Sequence, residues 1–285
     1  MIRITECPRD AMQGIKQQIP TELKAEYINQ LLKVGFDTLD FGSFVSPKAI
    51  PQMQDTADVL KRLDLSVTKS KLLAIIANLR GAQDACAFEE ISYLGFPFSI
   101  SETFQQRNTN SSIEESLKRV EEIQSLCIQH NKKLVVYISM AFGNPYGDKW
   151  SPELAINWCK QLNGMGISIL ALADTIGCST PENIKQLFSA LIPELSTVQF
   201  GAHLHSTRST AYEKIEAAYK NGCRNFDVAI HGFGGCPMAK DELTGNLATE
   251  DLELFATKNN IDLGLNKDQL IKCYESSWKI FNNYH

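Results

Sequence analysis

The segment His203-Leu204-His205 sets two imidazoles two residues apart. In an extended strand, residues i and i+2 point to the same side, so both rings would enter one space at metal-ligand spacing. A plainer use of such a pair is two hydrogen-bonded polar residues at a sheet rim. The histidines at 130, 231 and 285 are scattered, so the pair does not arise from a His-rich tract. Arg9 and Asp10 follow Pro8, a fixed cation beside a carboxylate; elsewhere such a pair is commonly a surface ion pair or an Asx turn. Asp10 with His203 and His205 would make a mixed N/O donor set for Mg, Mn, Fe or Zn, and waters filling an oxygen-rich octahedron would favour Mg or Mn. Gly232-Phe-Gly-Gly-Cys236-Pro237 flanks a thiol with glycine and proline, the composition of a mobile loop that brings a nucleophile or acid to a ligand. A phosphate-cradling loop is the competing reading, but no Lys-Ser/Thr follows. Asn246, ten residues on, offers a neutral oxygen ligand. Asp40 and Asp174 end apolar runs and read as rim carboxylates or as caps of the next turn.

These residues need a scaffold that brings chain positions 10, 203 and 246 together. Short β-like runs alternate with longer helical patterns throughout. Strands are expected at Ile2–Glu6, Thr38–Phe41, Leu72–Ala77, Glu90–Tyr93, Lys133–Met140, Ile167–Ala173, Gln199–His203 and Asn225–Ile230. Helices are expected at Lys24–Val34, Gln52–Leu63, Ala82–Phe88, Ser111–His130, Pro152–Asn163, Pro181–Ser189 and Ala211–Asn221, with two more near Leu247–Lys258 and Lys267–Asn282. Ser112 three residues before Glu115 is a capping-box pattern, and Ser151-Pro152 is a helix start. This rhythm implies parallel strands joined by crossover helices. Eight units in 285 residues fit an α/β (β/α)8 TIM barrel with extra C-terminal helices, read as one domain over 1–285. A doubly wound sheet is disfavoured, because no G-x-G-x-x-G follows the first strand. Long connections are expected over 7–19, 95–110 and 231–245. All three follow strands, and in a barrel they share the C-terminal mouth, where active sites lie.

The balance of 28 basic to 33 acidic residues, without a basic run, speaks against nucleic acid as a partner. No apolar stretch approaches the ~18 residues of a membrane span, so no membrane is expected either. Met1-Ile-Arg-Ile-Thr-Glu has neither an apolar h-region nor an Arg/Ser-rich presequence, and the expected location is cytoplasmic. Eight cysteines without a C-x-x-C exclude zinc-ribbon and thioredoxin readings, and those at 127, 159 and 273 fall in helical apolar patterns as buried thiols.

The chain resembles the 3-hydroxy-3-methylglutaryl-CoA (HMG-CoA) lyases of the DRE-TIM metallolyase superfamily nearly end to end. The resemblance is carried by Pro-Arg-Asp-Ala-Met-Gln (8–13), Ser-Phe-Val-Ser-Pro-Lys (43–48), Pro-Gln-Met (51–53), Asn-Ser-Ser-Ile-Glu-Glu-Ser (110–116), Asp-Thr-Ile-Gly (174–177), His-Leu-His (203–205), Gly-Gly-Cys-Pro (234–237) and Gly-Asn-Leu-Ala-Thr-Glu-Asp (245–251). The Ser-Phe-Val-Ser-Pro-Lys and Gly-Gly-Cys-Pro elements are the lyase-specific ones. The resemblance implies a divalent cofactor, Mg or Mn, on Asp10, His203, His205 and Asn246. It implies a catalytic arginine at Arg9 and a catalytic loop cysteine at Cys236. Asp40 stands where the family has a glutamate near the metal, and Asp174 matches an active-site carboxylate. Gln13, Ser43 and Thr175 match pocket positions, and Asn108 lies in the loop that meets CoA. The implied reaction is retro-Claisen cleavage of an acyl-CoA to acetoacetate and acetyl-CoA, as in leucine degradation, by a homo-oligomer, expected to be a dimer. His203 and Asp10 are both candidates for the base. The chain departs from the family at Ala171, at Ser206-Thr-Arg after His205, and between Cys236 and Asn246, where its loop is one residue longer. Two rivals stand beside the lyase: a related acyl-CoA lyase, Claisen-type synthase or aldolase of the same superfamily, and a silent acyl-CoA binder.

Overall fold

The structure, a computed structural model, describes residues 1–235 and 244–284. Its strands are β1 (Arg3–Glu6), β2 (Thr38–Ser43), β3 (Lys71–Ile75), β4 (Ile91–Ser99), β5 (Lys133–Ser139), β6 (Ile169–Ala173), β7 (Gln199–His203) and β8 (Asn225–Val228). All pair in parallel in chain order, and β1 closes on β8 through Arg3↔Asn225 to Glu6↔Val228. The helices are α1 (Pro8–Gln13), α2 (Thr21–Leu31), α3 (Thr56–Leu60), α4 (Leu79–Cys86), α5 (Glu102–Thr109), α6 (Ile113–Gln129), α7 (Pro152–Gly164), α8 (Pro181–Glu194), α9 (Arg208–Lys220), α10 (Thr249–Lys258) and α11 (Lys267–Phe281). This is the expected (β/α)8 barrel with extra C-terminal helices.

Local signals set the helix starts. Ser112 and Glu115 form the reciprocal capping box of α6, Thr180 and Asn183 do the same for α8, and Ser151 accepts from the Leu154 amide ahead of α7. Apolar faces of the helices pack on the outward side chains of the strands in one large core. A second, much smaller cluster of Leu73, Val135, Tyr137 and Ala171 fills part of the barrel interior. Small and polar inward residues, among them Thr5, Gly201 and Asp227, leave that interior thinner than the layered bulky core usual for this fold.

Three expectations are corrected. The connection over 7–19 holds α1, which is too short to show periodicity and half of whose residues are charged or amide. Strand β4 runs on through Gly95 and Pro97 to Ser99, and α5 occupies most of the rest of the expected 95–110 loop. Gly95 is a packing requirement: a Cβ there would lie 2.5 Å from Ile75 Cδ1 and 3.0 Å from Tyr137 Cε2. The helix expected over 52–63 is a 3-10 turn at Pro51–Met53 followed by α3. Thr56 explains the break: its hydroxyl donates to Met53 O at 2.8 Å and accepts from the Ser43 amide at 3.0 Å, tying α3 to the end of β2.

Candidate metal centre and active-site cavity

Strand β1 ends at Glu6, and α1 turns its first residues back over the barrel mouth. Arg9 and Asp10 are thereby buried at 7% and 6% exposure, which isolated charges do not tolerate. Arg9 resolves this by forking. Its Nε lies 3.1 Å from both oxygens of Asp40, its Nη2 also reaches Asp40, and its Nη1 donates to Asp10 Oδ1 at 2.9 Å and Gln13 Oε1 at 2.8 Å. Burial weakens the guanidinium's hold on its proton, but Asp40 and Asp10 outweigh that, so Arg9 stays a cation. Burial pushes the Asp40 carboxyl up to about 6 against the pull of Arg9, and at neutral pH it remains the ionised partner.

Strand β7 delivers His203 at its end and His205 two residues later. Donor atoms of Asp10, His203 and His205 all lie within 4.8 Å of one another. His203 Nδ1 lies 3.1 Å from Asp227 Oδ2 on β8, which assigns the proton to Nδ1 and leaves the Nε2 lone pair facing Asp10 Oδ2 at 3.9 Å. Burial disfavours the imidazolium at His203, but Asp227 and then Asp10 raise its pKa overall. His205 goes the other way: burial, then the neighbouring His203, lower it to about 4, so it is a neutral ring at physiological pH. Burial raises the Asp10 carboxyl, yet Arg9, His203 and His205 together hold it below the usual range. One carboxylate and two imidazole nitrogens form a donor set that fits a divalent ion. Asn246 is buried beside this group, pairs with His205 across an isolated antiparallel bridge, and donates to Phe233 O at 2.9 Å.

The cavity above this group holds about 220 Å³. Arg9, Asp10, Gln13, Ser43, Asn108, Thr175, His203 and His205 all line it. Thr175 anchors the wall by accepting from the Met140 amide at 3.0 Å. Asp40 and Asp174 do not line it. Asp40 sits behind Arg9. Asp174, expected as an active-site carboxylate, is engaged by its surroundings: Oδ1 accepts from the Ser179 amide at 3.0 Å, and Oδ2 takes the Ser179 hydroxyl and Lys214 Nζ at 2.5 and 2.9 Å. Cys236 lies outside the described residues. The glycines that lead to it press on the site: a Cβ on Gly234, whose φ is +93°, would meet Asp10 O at 2.7 Å and Asn246 Nδ2 at 2.8 Å. Phe233 stacks on Phe281 of α11 at 4.1 Å and fixes the start of this segment.

Sequence reasoning passed over Asp227, Tyr137 and Cys7. Tyr137 stands edge-on to His203 at 5.6 Å and is a wall of the cavity. The available signal was parity, since charged or polar residues at alternate positions of a buried parallel strand, such as Asn225 and Asp227, must face the barrel axis.

The profile of the HMGL-like family matches residues 2–276. The chain is 35% identical over 274 residues to the mitochondrial hydroxymethylglutaryl-CoA lyase of Rattus norvegicus, covering 95% of this chain and 83% of that one. It is 34% identical over 284 residues to the cytoplasmic 3-hydroxy-3-methylglutaryl-CoA lyase of Homo sapiens, covering 99% and 75%. Among solved structures, an HMG-CoA lyase from A. baumannii in complex with coenzyme A and 3-methylmalate superposes with a TM-score of 0.91 at 31% identity, covering 98% and 90%.

Proposed function

The chain belongs to the HMGL-like family, and from that premise we propose that it cleaves 3-hydroxy-3-methylglutaryl-CoA to acetoacetate and acetyl-CoA with a divalent ion, Mg or Mn. The observation that carries this reading is the convergence of Asp10, His203 and His205 beside a buried arginine on one cavity wall. Asp10, His203 and His205, with Asn246 as a further ligand, would hold the ion, which when bound acidifies the tertiary hydroxyl and orients the free carboxylate.

The chain's own groups account for the remaining chemistry. Arg9 is locked as a cation by Asp40 and Asp10, so it serves the charge that develops on the departing thioester enolate and takes no part in proton transfer. Asp227 keeps the proton of His203 on Nδ1, so its one lone pair, on Nε2, serves either as a ligand to the ion or as the base that takes the hydroxyl proton; Asp10 is the other candidate base. Gln13, Ser43, Thr175 and Asn108 line the cavity, and the reading assigns the first three to the acyl group and Asn108, from α5, to the CoA arm. Cys236 is assigned as the acid that protonates the acetyl-CoA carbanion, because the segment leading to it is seated on Asp10 and Asn246. Asp174 is a positioning residue through Lys214, which also holds His205 O at 2.7 Å. Among the described residues, no helix is long and apolar enough to cross a membrane. The cysteines at 7, 86, 127, 159, 178, 223 and 273 are free thiols, which suits a reducing compartment such as the cytoplasm.

The test is a direct assay of HMG-CoA cleavage with added Mg or Mn, run beside acetyl-CoA with a panel of 2-oxo acids. Acetoacetate from HMG-CoA is the expected result. Condensation of acetyl-CoA with a 2-oxo acid and no cleavage would transfer the site to a synthase.

A further inference from the structure

His203 has a second face. Its Nε2 looks up toward Asp10 and the cavity, and its Nδ1 looks down at Asp227. Below it, Cys7 Sγ, His203 Nδ1 or Nε2, and an Asp227 carboxylate oxygen all lie within 4.8 Å of one another. One thiol, one imidazole and one carboxylate form a donor set for a soft or borderline divalent cation, chiefly zinc or cadmium, and the thiol disfavours magnesium. Cys7 is 1% exposed and Asp227 7%, so the cluster is built into the interior and is not an exposed acidic patch. Its electrostatics suit a cation: Asp227, Asp40 and Asp10 act on Cys7 as carboxylates, against the single cation Arg9.

The cluster also has its own approach. A cavity of about 410 Å³ opens at the opposite end of the barrel from the active site and runs from Arg3 past Thr5 and Gly201 to Asp227. Tyr137 lines both this cavity and the upper one. An ion arriving from the base therefore meets the Asp227 carboxylate without passing through the substrate cavity.

We propose that Cys7, His203 Nδ1 and Asp227 form a second, inhibitory metal site that takes a thiophilic divalent cation from the base of the barrel. Binding replaces the S–H bond of Cys7 with a metal–sulfur bond, and the thiol proton leaves through the base cavity. It also moves the remaining ring proton of His203. A neutral imidazole has one lone-pair nitrogen, so when Nδ1 binds the lower ion, Nε2 carries the proton. The upper site then loses His203 as a ligand. The two ions compete for one tautomer, and by linkage each weakens the other by the same factor.

The probe is cadmium chloride alone, added to the full-length chain carrying Cys178→Ser and Cys236→Ser, which removes the exposed thiol and the loop thiol. The expected result is one cadmium per chain with the ultraviolet charge-transfer absorption of a cadmium–thiolate bond. Cys7→Ser should abolish that absorption and weaken cadmium binding at least about tenfold, while Asp227→Asn keeps the absorption with weaker binding. Melting curves of both variants show whether the fold is retained, and Asp227→Asn carries the test if Cys7→Ser does not fold. Free Mn(II), followed by its paramagnetic resonance spectrum, should rise as cadmium is added to the Mn-loaded protein. Absorption that survives Cys7→Ser, binding unmoved by Asp227→Asn, no absorption at stoichiometric cadmium, or Mn(II) undisturbed by bound cadmium would each overturn the proposal. None of these readouts depends on the acyl-CoA that the upper site cleaves.

Discussion

Arg9 with Asp10 and Asp40 after β1, and Lys214 with Asp174 after β6, are both buried cation–carboxylate groups at the mouth of the barrel. In the second group every valence is used. Lys214 Nζ spends its three donors on Asp174, Gly177 O and His205 O, and Ser179 occupies both oxygens of Asp174. In the first group Asp40 is saturated by Arg9, but Asp10 is not. Its Oδ1 is held by Arg9 and Gln13, while its Oδ2 faces His203 Nε2 at 3.9 Å. A closed network of this kind fixes backbone, here the carbonyl of His205. An open one leaves an oxygen and two ring nitrogens free to bind something else. The open group should therefore fail through chemistry when broken, and the closed one through stability.

The sharpest break is removal of the ion. Chelation should abolish cleavage, and Mg or Mn should restore it, with melting curves showing a barrel that stays folded throughout. His205→Ala should weaken metal binding by at least about tenfold, measured by titration calorimetry, because it removes a neutral ring nitrogen from the donor set. Turnover that survives complete metal removal would end the contrast at its open side.

Arg9 comes next. Arg9→Met should lower kcat about 10²- to 10³-fold, the cost of one preorganised donor at a developing oxyanion. It should also lower the melting temperature, because Asp40 is left buried and unpaired. Arg9→Lys separates the two effects. An ammonium keeps the charge but not the planar fork, so stability should largely return while kcat stays depressed.

Lys214→Met is the counterpart at the closed side. Stranding Asp174 should cost about 3–5 kcal/mol of stability, read from denaturant unfolding. The folded fraction should keep kcat much nearer normal than Arg9→Met does. A loss of kcat as large as that of Arg9→Met, with unfolding unchanged, would show that Asp174 belongs to the reacting groups after all.

The smallest effect concerns pH. Glu6 is fully buried under the same mouth, bonded to the Ile230 amide at 2.8 Å and the Thr249 hydroxyl at 2.7 Å, and burial raises its pKa to about 8. In the unfolded chain it would lose its proton near the usual carboxylate range. The folded state thus holds an extra proton between those values, and its contribution is complete at low pH and lost as pH rises through about 8. Glu6→Gln should flatten the fall in stability between about pH 5 and 8, seen in melting temperatures across that range.

The alternation of apolar runs made the barrel legible, because each strand carries its own signal in five or so residues. The ligand-bearing positions were legible for a related reason: His203 and His205 need only strand parity, and Arg9-Asp10 sit directly after a strand. What escaped was pairing across sequence. Nothing in Asn225-Phe-Asp227 announces that Asp227 meets an imidazole 24 residues away. The short helix α1 escaped because fewer than two turns carry no period. Asp174 was legible as an active-site position from its motif but not in its orientation, since Lys214 on α9 decides where the carboxylate turns.

The ring of Tyr137 is the septum between two vessels, one open to substrate and one open to the barrel base. Its thickness is set from behind by Gly95, where any side chain would push the ring out of place. Tyr137 keeps the two apart only while its side chain stays large. Exchanged for alanine, Tyr137 would turn the two vessels into a flow-through channel, with bulk solvent entering beneath the reacting carbon. Water entering there would meet the carbanion as a second proton source beside Cys236, by a route separate from the upper loops.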